Sequence, residues 1–374
     1  VSTYPENDGD NDIYPTDPAR AFQPLTTVLE AAKMTQGKST GLVFTCEFPH
    51  ATPADCSAHS YNRGKYEWIA PQMAHNDLNV VIGGGVSLLP EESEAYLKGN
   101  GYGVFKNDIA GMRNYKGNNM WALFGDREMA YDIDRDPAEQ PSLEEMTRKA
   151  IEKLSQNPNG FFLMVEGGKI DWACHSNDAA TVFHEVMDMD NAIKVAYEFY
   201  EQHPDETLIV VTADHETGGI VLGKGPYTLN LQALKSQKVS ESGYTKIVNE
   251  LRKKYKNQVP WEVIKQSLKD NFGFWDSIQL NEKQEASLKK VYDESFSGKE
   301  IDLTKSEYQQ DEPLAAEAKR ILDDIALVGW TSGGHSGGYV PVFAIGAGAQ
   351  LFQGRIDNTE IPVKIAEAAG YPNN

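Results

Sequence analysis

The sequence predicts an α/β fold: a doubly wound, mainly parallel central sheet flanked by helices, carrying a mostly helical insertion. Three observations predict it. Short apolar runs recur and end in glycines or in residues with oxygen and nitrogen donors, as at Gly160-Phe-Phe-Leu-Met-Val165, Thr207-Leu-Ile-Val-Val-Thr212 and Tyr339-Val-Pro-Val-Phe-Ala-Ile345. They are too short for helices, and their Pro, Gly and Asn flanks favour strands. Between them lie segments with helical spacing. From Lys224 to about Ala326 the character changes: Lys and Glu rise and β-branched runs vanish. The division that follows is an α/β core of residues 1-223 and 327-374 interrupted by a helical insertion at 224-326. The insertion reads as a packing or dimer element in preference to a lid, because its charges fall like those of solvated helix faces.

In chain order, Val1 to Ala19 is polar and reads as loop. Its acidic run Glu6-Asn-Asp-Gly-Asp-Asn-Asp12 lacks the distant Glu of a calcium-binding loop and reads as a solvated turn. Leu25, Val28, Leu29 and Ala32 give helical spacing up to Met34, and Gly41 to Phe44 is apolar and extended. The motif Phe48-Pro-His50-Ala-Thr52-Pro53 follows that strand, with Asn62-Arg63 beyond it in a helix end or loop. Leu78-Asn-Val-Val-Ile-Gly-Gly-Gly85 has neither Gly-Lys-Ser/Thr nor a dinucleotide-loop spacing, so it is a strand and tight turn. Pro90 to Gly99 is a short charged helix, and residues 100 to 140 alternate short strands and loops. Ser142-Leu-Glu-Glu145 is a capping box that opens a helix to about Ser155.

The strand Gly160–Val165 opens into a polar turn, Glu166-Gly-Gly-Lys-Ile-Asp171-Trp-Ala-Cys-His175. Val182, Val186, Met189, Ile193, Ala196 and Tyr200 then recur at intervals of 4, 3, 4, 3 and 4, an amphipathic helix covering the sheet. His184 and His203 read as surface or capping imidazoles. The strand from Thr207 ends in Asp214-His215-Glu-Thr-Gly-Gly219, and Trp330-Thr-Ser-Gly-Gly-His335-Ser-Gly-Gly338 places an imidazole among glycines that allow close backbone approach to an ion. The strand 339–345 and a helix at 360–369 complete the layer.

At 374 residues, with 40% hydrophobic residues, 17 Tyr, 14 Phe and 6 Trp, the chain can bury a sizeable core. No apolar run approaches the ~20 residues of a membrane helix. The formal charge of −20 argues against nucleic acid or an anionic membrane as partner. Of the three cysteines, Cys46 and Cys56 could pair only if the loop between them folds back. Cys174 is a structural thiol in preference to a soft metal ligand. The chain carries no signal peptide and starts at Val, which fits a processed or trimmed product.

Three imidazoles and at least three carboxylates at strand termini suggest more than one metal, zinc and a harder cation both being open. The Thr52 hydroxyl suits a hard ion such as Mg²⁺. His50 stands between two readings: a metal-site residue, directly or through water, or a hydrogen-bonded loop imidazole. Arg63 suits a bidentate phosphate clamp, since guanidinium offers two parallel donors.

With these residues the chain resembles the alkaline phosphatase family. Its His-Ala-Thr-Pro motif at 50–53, with Arg63 eleven positions after Thr52, is similar to the family's magnesium site and phosphate-binding arginine. The resemblance implies an alkaline phosphatase-like fold and hydrolysis of small phosphate monoesters. It implies zinc 1 at Asp171, His175 and His335, zinc 2 at Asp214 and His215, and magnesium at Thr52 and Glu166. His50 would help define the third site, and Trp172 stands beside it where other members carry a charged or imidazole group. Two zinc ions about 4 Å apart would brace the attacking and leaving oxygens of an in-line displacement. The resemblance further implies a periplasmic or secreted enzyme and a possible homodimer. The family's nucleophile lies in an Asp-Ser-Ala motif and its bridging aspartate in an earlier Asp-Gly motif, both upstream of the helix near Leu25. Neither occurs between Val1 and Pro24, and Asp8-Gly-Asp10 follows no apolar strand. The chain is therefore expected to be truncated at its N-terminus and to be weakly active or inactive as it stands. The alternatives are a non-catalytic metal- or anion-binding remnant, and a phosphodiesterase or sulfatase of the same superfamily.

Overall fold

A computed structural model describes residues 1–4, 21–225, 228–296, 304–305 and 310–372. The acidic run at 6–12, with Asp8-Gly-Asp10, lies outside the described residues. Five parallel strands form the central sheet: β1 (Ser39–Glu47), β2 (Val80–Gly84), β3 (Gly103–Lys106), β4 (Met120–Phe124) and β5 (Phe161–Glu166), in the order β3-β4-β2-β1-β5. The period-2 alternation of β1 splits its side chains between two cores. Leu42, Phe44 and Cys46 join one core with Leu29, Ile69, Leu97 and Trp172. Val43 joins the other with Ile109, Met112, Met146 and Ala192. Helices therefore cover both faces: α1 (Val28–Gln36), α2 (Ala51–Ser57), α3 (Tyr66–His75) and α4 (Glu91–Gly99) on the first, α5 (Ile109–Asn114) and α6 (Leu143–Leu154) on the second. This is the doubly wound α/β arrangement the sequence predicts, and both faces being buried explains the near-continuous apolar runs.

The helix predicted from Leu25 begins three residues later, because Thr27 caps it: the Thr27 hydroxyl accepts from Glu30 N–H and the Glu30 carboxylate accepts from Thr27 N–H. Ser142 caps α6 as expected, accepting from Glu145 N–H. Residues 100–140 contain one α-helix, α5, and a 3-10 turn at Asp132–Asp134 beyond the short strands and loops expected.

Two expectations are corrected near the site. The stretch after β5 is not a polar turn: only Gly167-Gly168 bends, and Lys169–His175 forms a helix, α7. The buried side chains of Lys169, Trp172, Ala173 and Cys174 drive it, a 3.6-residue pattern hidden among polar neighbours. The strand expected at 339–345 is β13 (Phe343–Gly346), shortened because Pro341 has no N–H to donate to a ladder. It pairs antiparallel with β6 (Leu208–Val211), and the two form a ribbon of their own outside the five-stranded sheet. Between β5 and β6 runs α8 (Ala179–Gln202), with His203 as its C-cap.

Short antiparallel pairs tie the site loops together: β7 (Glu216–Thr217) with β12 (His335–Ser336), and β8 (Val221–Leu222) with β11 (Val328–Gly329). Residues 224–326 carry α9 (Glu241–Lys254), α10 (Trp261–Phe272), α11 (Glu282–Ser295) and α12 (Pro313–Ala326), with a short pair β9 (Thr304–Lys305) and β10 (Gln310–Asp311). Their apolar faces, including Tyr244, Phe272, Leu288 and Ile321, share one core with Ala179 and Ala180 of α8. A last helix, α13 (Glu360–Ala369), follows β13.

A buried charged seam joins these helices to the turn between α7 and α8. Lys319 Nζ lies 2.8 Å from Glu241 Oε2 and donates to Ser176 O, one residue past His175. Asp178 accepts from Gln237 Nε2 (2.8 Å), Glu241 N (2.9 Å) and Thr181 Oγ1 (2.7 Å).

Candidate metal centre

Helix α7 sets the geometry. A helix places residues four apart on one face, so Asp171 and His175 project together, Nε2 to Oδ2 at 3.4 Å. The β7–β12 pair brings a second imidazole opposite them: His335 Nε2 lies 3.2 Å from His175 Nε2 and 3.8 Å from Asp171 Oδ1. His215 stacks on His335, ring centroids 3.6 Å apart, and keeps its Nε2 3.1 Å from Asp214 Oδ2. The family resemblance divides these ligand-type residues into two sets; the structure links the sets through His215, whose donor atom groups with those of Asp171 and His335.

The rings are held in one tautomer by their other nitrogens. The fully buried His175 donates Nδ1–H to Gly333 O at 2.7 Å, which leaves the Nε2 lone pair toward the cluster. Thr217 Oγ1 donates to Asp171 Oδ1 at 2.5 Å, and with that proton committed its oxygen accepts from His215 Nδ1–H at 3.2 Å. Thr217 is a residue sequence reasoning missed; the only signal was its place two residues after His215. The donor set, two or three imidazoles and carboxylates with fixed second nitrogens, fits zinc.

A second group sits where β1 and β5 end side by side, Phe44 in register with Glu166. Cys46 Sγ lies 3.2 Å from Glu166 Oε2, the Thr52 hydroxyl also bonds Glu166, and His50 completes the cluster. Burial pushes the Glu166 carboxyl up to about 7 and the Cys46 thiol well above its ordinary range. Burial, reinforced by Arg63, lowers His50. Arg63 NH2 stands 3.2 Å from His50 Nε2 in an exposed loop, and Trp172 packs edge-on against the His50 ring at 5.7 Å. Asp171 and Asp214 both act electrostatically on His50 and Glu166, so the two groups are neighbours. Sequence reasoning did not select Cys46. The signal was a sulfur donor four residues before His50, at the end of a strand.

All three cysteines are free, so Cys46 and Cys56 do not pair. His184 lies 3.3 Å from Asp132 and His203 packs on Phe199, the structural roles expected of both.

The family model described as alkaline phosphatase matches residues 17–371. The chain belongs to the alkaline phosphatase family. Its members are phosphomonoesterases. Alkaline phosphatase 3 of Bacillus subtilis (strain 168) is 35% identical over 365 residues, covering 92% of this chain and 71% of that protein. Alkaline phosphatase 4 of the same strain is 34% identical, covering 90% and 68%. Among solved structures, a cold-active alkaline phosphatase from the psychrophile Shewanella sp. matches with TM-score 0.78 and 33% identity, covering 94% of this chain and 79% of that one. The alkaline phosphatase of the Antarctic bacterium TAB5 matches with TM-score 0.61 at 25% identity, covering 94% and 77%. A variant of the TAB5 enzyme is described with Mg bound in its M3 site.

Proposed function

We propose that the chain acts on small phosphate monoesters at a centre of two zinc ions and a third cation. The observation that carries this reading is the convergence of Asp171, His175, His215 and His335, with Arg63 beside His50 on the adjoining loop. Asp171, His175 and His335 would hold the first zinc, Asp214 and His215 the second, and Thr52 and Glu166 supply oxygen donors to the third cation. Divalent ions there supply Lewis-acid polarisation of a phosphoryl oxygen and offset the −20 charge that repels an anionic substrate.

The protein's own groups position the ester. The Arg63 guanidinium presents two parallel N–H donors to phosphoryl oxygens. The Gly333 carbonyl and the Thr217 hydroxyl hold the His175 and His215 rings so that neither turns away from the site. Asp214, its side chain 77% exposed, stands on the solvent side, where an ester would enter. We place the 224–326 segment as a packing element that holds the turn after His175, and the protein in the periplasm or outside the cell. No helix of the described residues is long and apolar enough to cross a membrane.

A second reading is metal and phosphate binding without turnover, for which the histidine cluster and Arg63 suffice by themselves. Aryl phosphate hydrolysis by the zinc-loaded chain, set beside phosphate binding measured by calorimetry, separates the two. Turnover that stops on zinc chelation supports hydrolysis. Under either reading Arg63→Lys weakens phosphate binding by about tenfold, one bidentate charge-assisted contact being worth roughly 1.5 kcal/mol. Phosphate binding unchanged in Arg63→Lys overturns the site assignment.

A further inference from the structure

Besides the oxygens of Thr52 and Glu166, the group at the ends of β1 and β5 presents a sulfur and an imidazole nitrogen that a magnesium site does not use. Mg²⁺ demands oxygen donors in near-octahedral geometry and leaves thiols alone. Here the donor atoms of Cys46, His50 and Glu166 all lie within 4.8 Å of one another. Thiol, imidazole and carboxylate within one ion's reach are the donors of a zinc site, and soft sulfur selects for zinc-type ions.

The local backbone makes room for the sulfur. Cys46 is fully buried, and Gly168, at the start of α7, faces it: a Cβ there would stand 3.2 Å from Cys46 Sγ and 3.3 Å from Glu166 Cδ. The absent side chain leaves a cradle between thiol and carboxylate. The Sγ–H donates to Glu166 Oε2 across it at 3.2 Å, and an ion entering there replaces that proton with a metal–sulfur bond while the proton leaves to solvent.

We propose that Cys46, His50 and Glu166 form a thiolate-containing site for zinc or a similar borderline-soft ion at the position where the family resemblance implies magnesium. This deepens the proposed function but is read separately from it, because the other ligand-type residues, Asp171, His175, Asp214, His215 and His335, carry no sulfur.

Cobalt(II) makes the distinction spectroscopic: a sulfur-to-cobalt charge-transfer band in the near ultraviolet arises only when a thiolate is bound. The chain titrated with cobalt is expected to show the band, to keep it in Cys56→Ala and Cys174→Ala, and to keep it under a large excess of Mg²⁺. Cys46→Ser is expected to lose the band and one equivalent of tightly held zinc. Affinity at that position then falls by more than about 100-fold, beyond the 10–100-fold that loss of an outer partner produces. Absence of the band in the unmodified chain, its survival in Cys46→Ser, or its removal by Mg²⁺ would each overturn the proposal. The first and third of these need no variant to fold. Loss of histidine-bound zinc with the band intact would instead count against the phosphatase centre alone.

Discussion

Asp323 offers a test of the buried electrostatics that anchor the site. It lies on α12, 3% exposed, and Trp330 Nε1–H, at the entrance of the His335 loop, donates to its Oδ2 at 2.8 Å, while the Ala179 backbone N–H also holds the carboxylate. Burial is the first cause that pushes its carboxyl up to about 7; the neighbouring Asp178 adds to this, and Trp330 and Lys319 oppose it. An unfolded aspartate titrates near 3.9, so the folded chain holds a proton that the unfolded chain has released between about pH 4 and pH 7. Stability is therefore fully present below that window and is lost as pH rises through it, at about 1.4 kcal/mol per unit and about 4 kcal/mol in all. Asp323→Asn keeps an acceptor for Trp330 and removes the titration. Urea unfolding of both proteins from pH 5 to pH 8 should show the stability difference moving by roughly 2–3 kcal/mol in favour of the variant. Glu166 and Glu185 are also pushed up to about 7, but they titrate in both proteins and cancel. Parallel pH profiles would refute the reasoning.

Three further outcomes follow from the same contacts. Lys319→Met strands the buried Glu241 and should cost about 3–5 kcal/mol, measured by urea midpoint; Lys319→Met with Glu241→Gln should recover much of it, whereas equal loss in both would show that packing alone was at stake. The single variant should also weaken zinc binding, since Lys319 holds the Ser176 carbonyl next to His175. Thr217→Val removes the donor to Asp171 and should raise the zinc dissociation constant by about 10–100-fold in a chelator competition, with an unchanged melting temperature. Arg63→Lys should weaken inorganic phosphate binding about tenfold while leaving zinc stoichiometry intact.

The sequence made legible whatever depends on short-range pattern. Short apolar runs and their glycine, proline and asparagine flanks located β1 and β5, 3.6-residue spacing located α1 and α8, and capping chemistry at Ser142 marked the start of α6. The ligand-type residues were legible through the resemblance of their motifs to those of the alkaline phosphatase family. What was not legible depends on partners remote in sequence. Helix α7 was hidden because its apolar face is read only once β1 and Trp330 lie against it. The pairing of β6 with β13 is antiparallel and joins residues over a hundred positions apart. Cys46 has an ordinary place in an apolar strand until Glu166, in the neighbouring strand, reaches its sulfur.

The edges of the sheet carry a last consequence. Among the described residues, β5 is hydrogen-bonded only to β1, and β6 only to β13, so each has one side of its main chain without a ladder. Phe161–Val165 has no lysine, proline or bulge to discourage an incoming strand, the usual protections of an exposed edge. Colloidal behaviour then rests on long-range repulsion: molecules of charge −20 are kept apart at low ionic strength. Salt shortens the reach of that repulsion to about 8 Å at 0.15 M, little more than the 4.8 Å spacing at which strands pair. The same acidity thus opposes association between copies of this chain, and that association should climb with added salt.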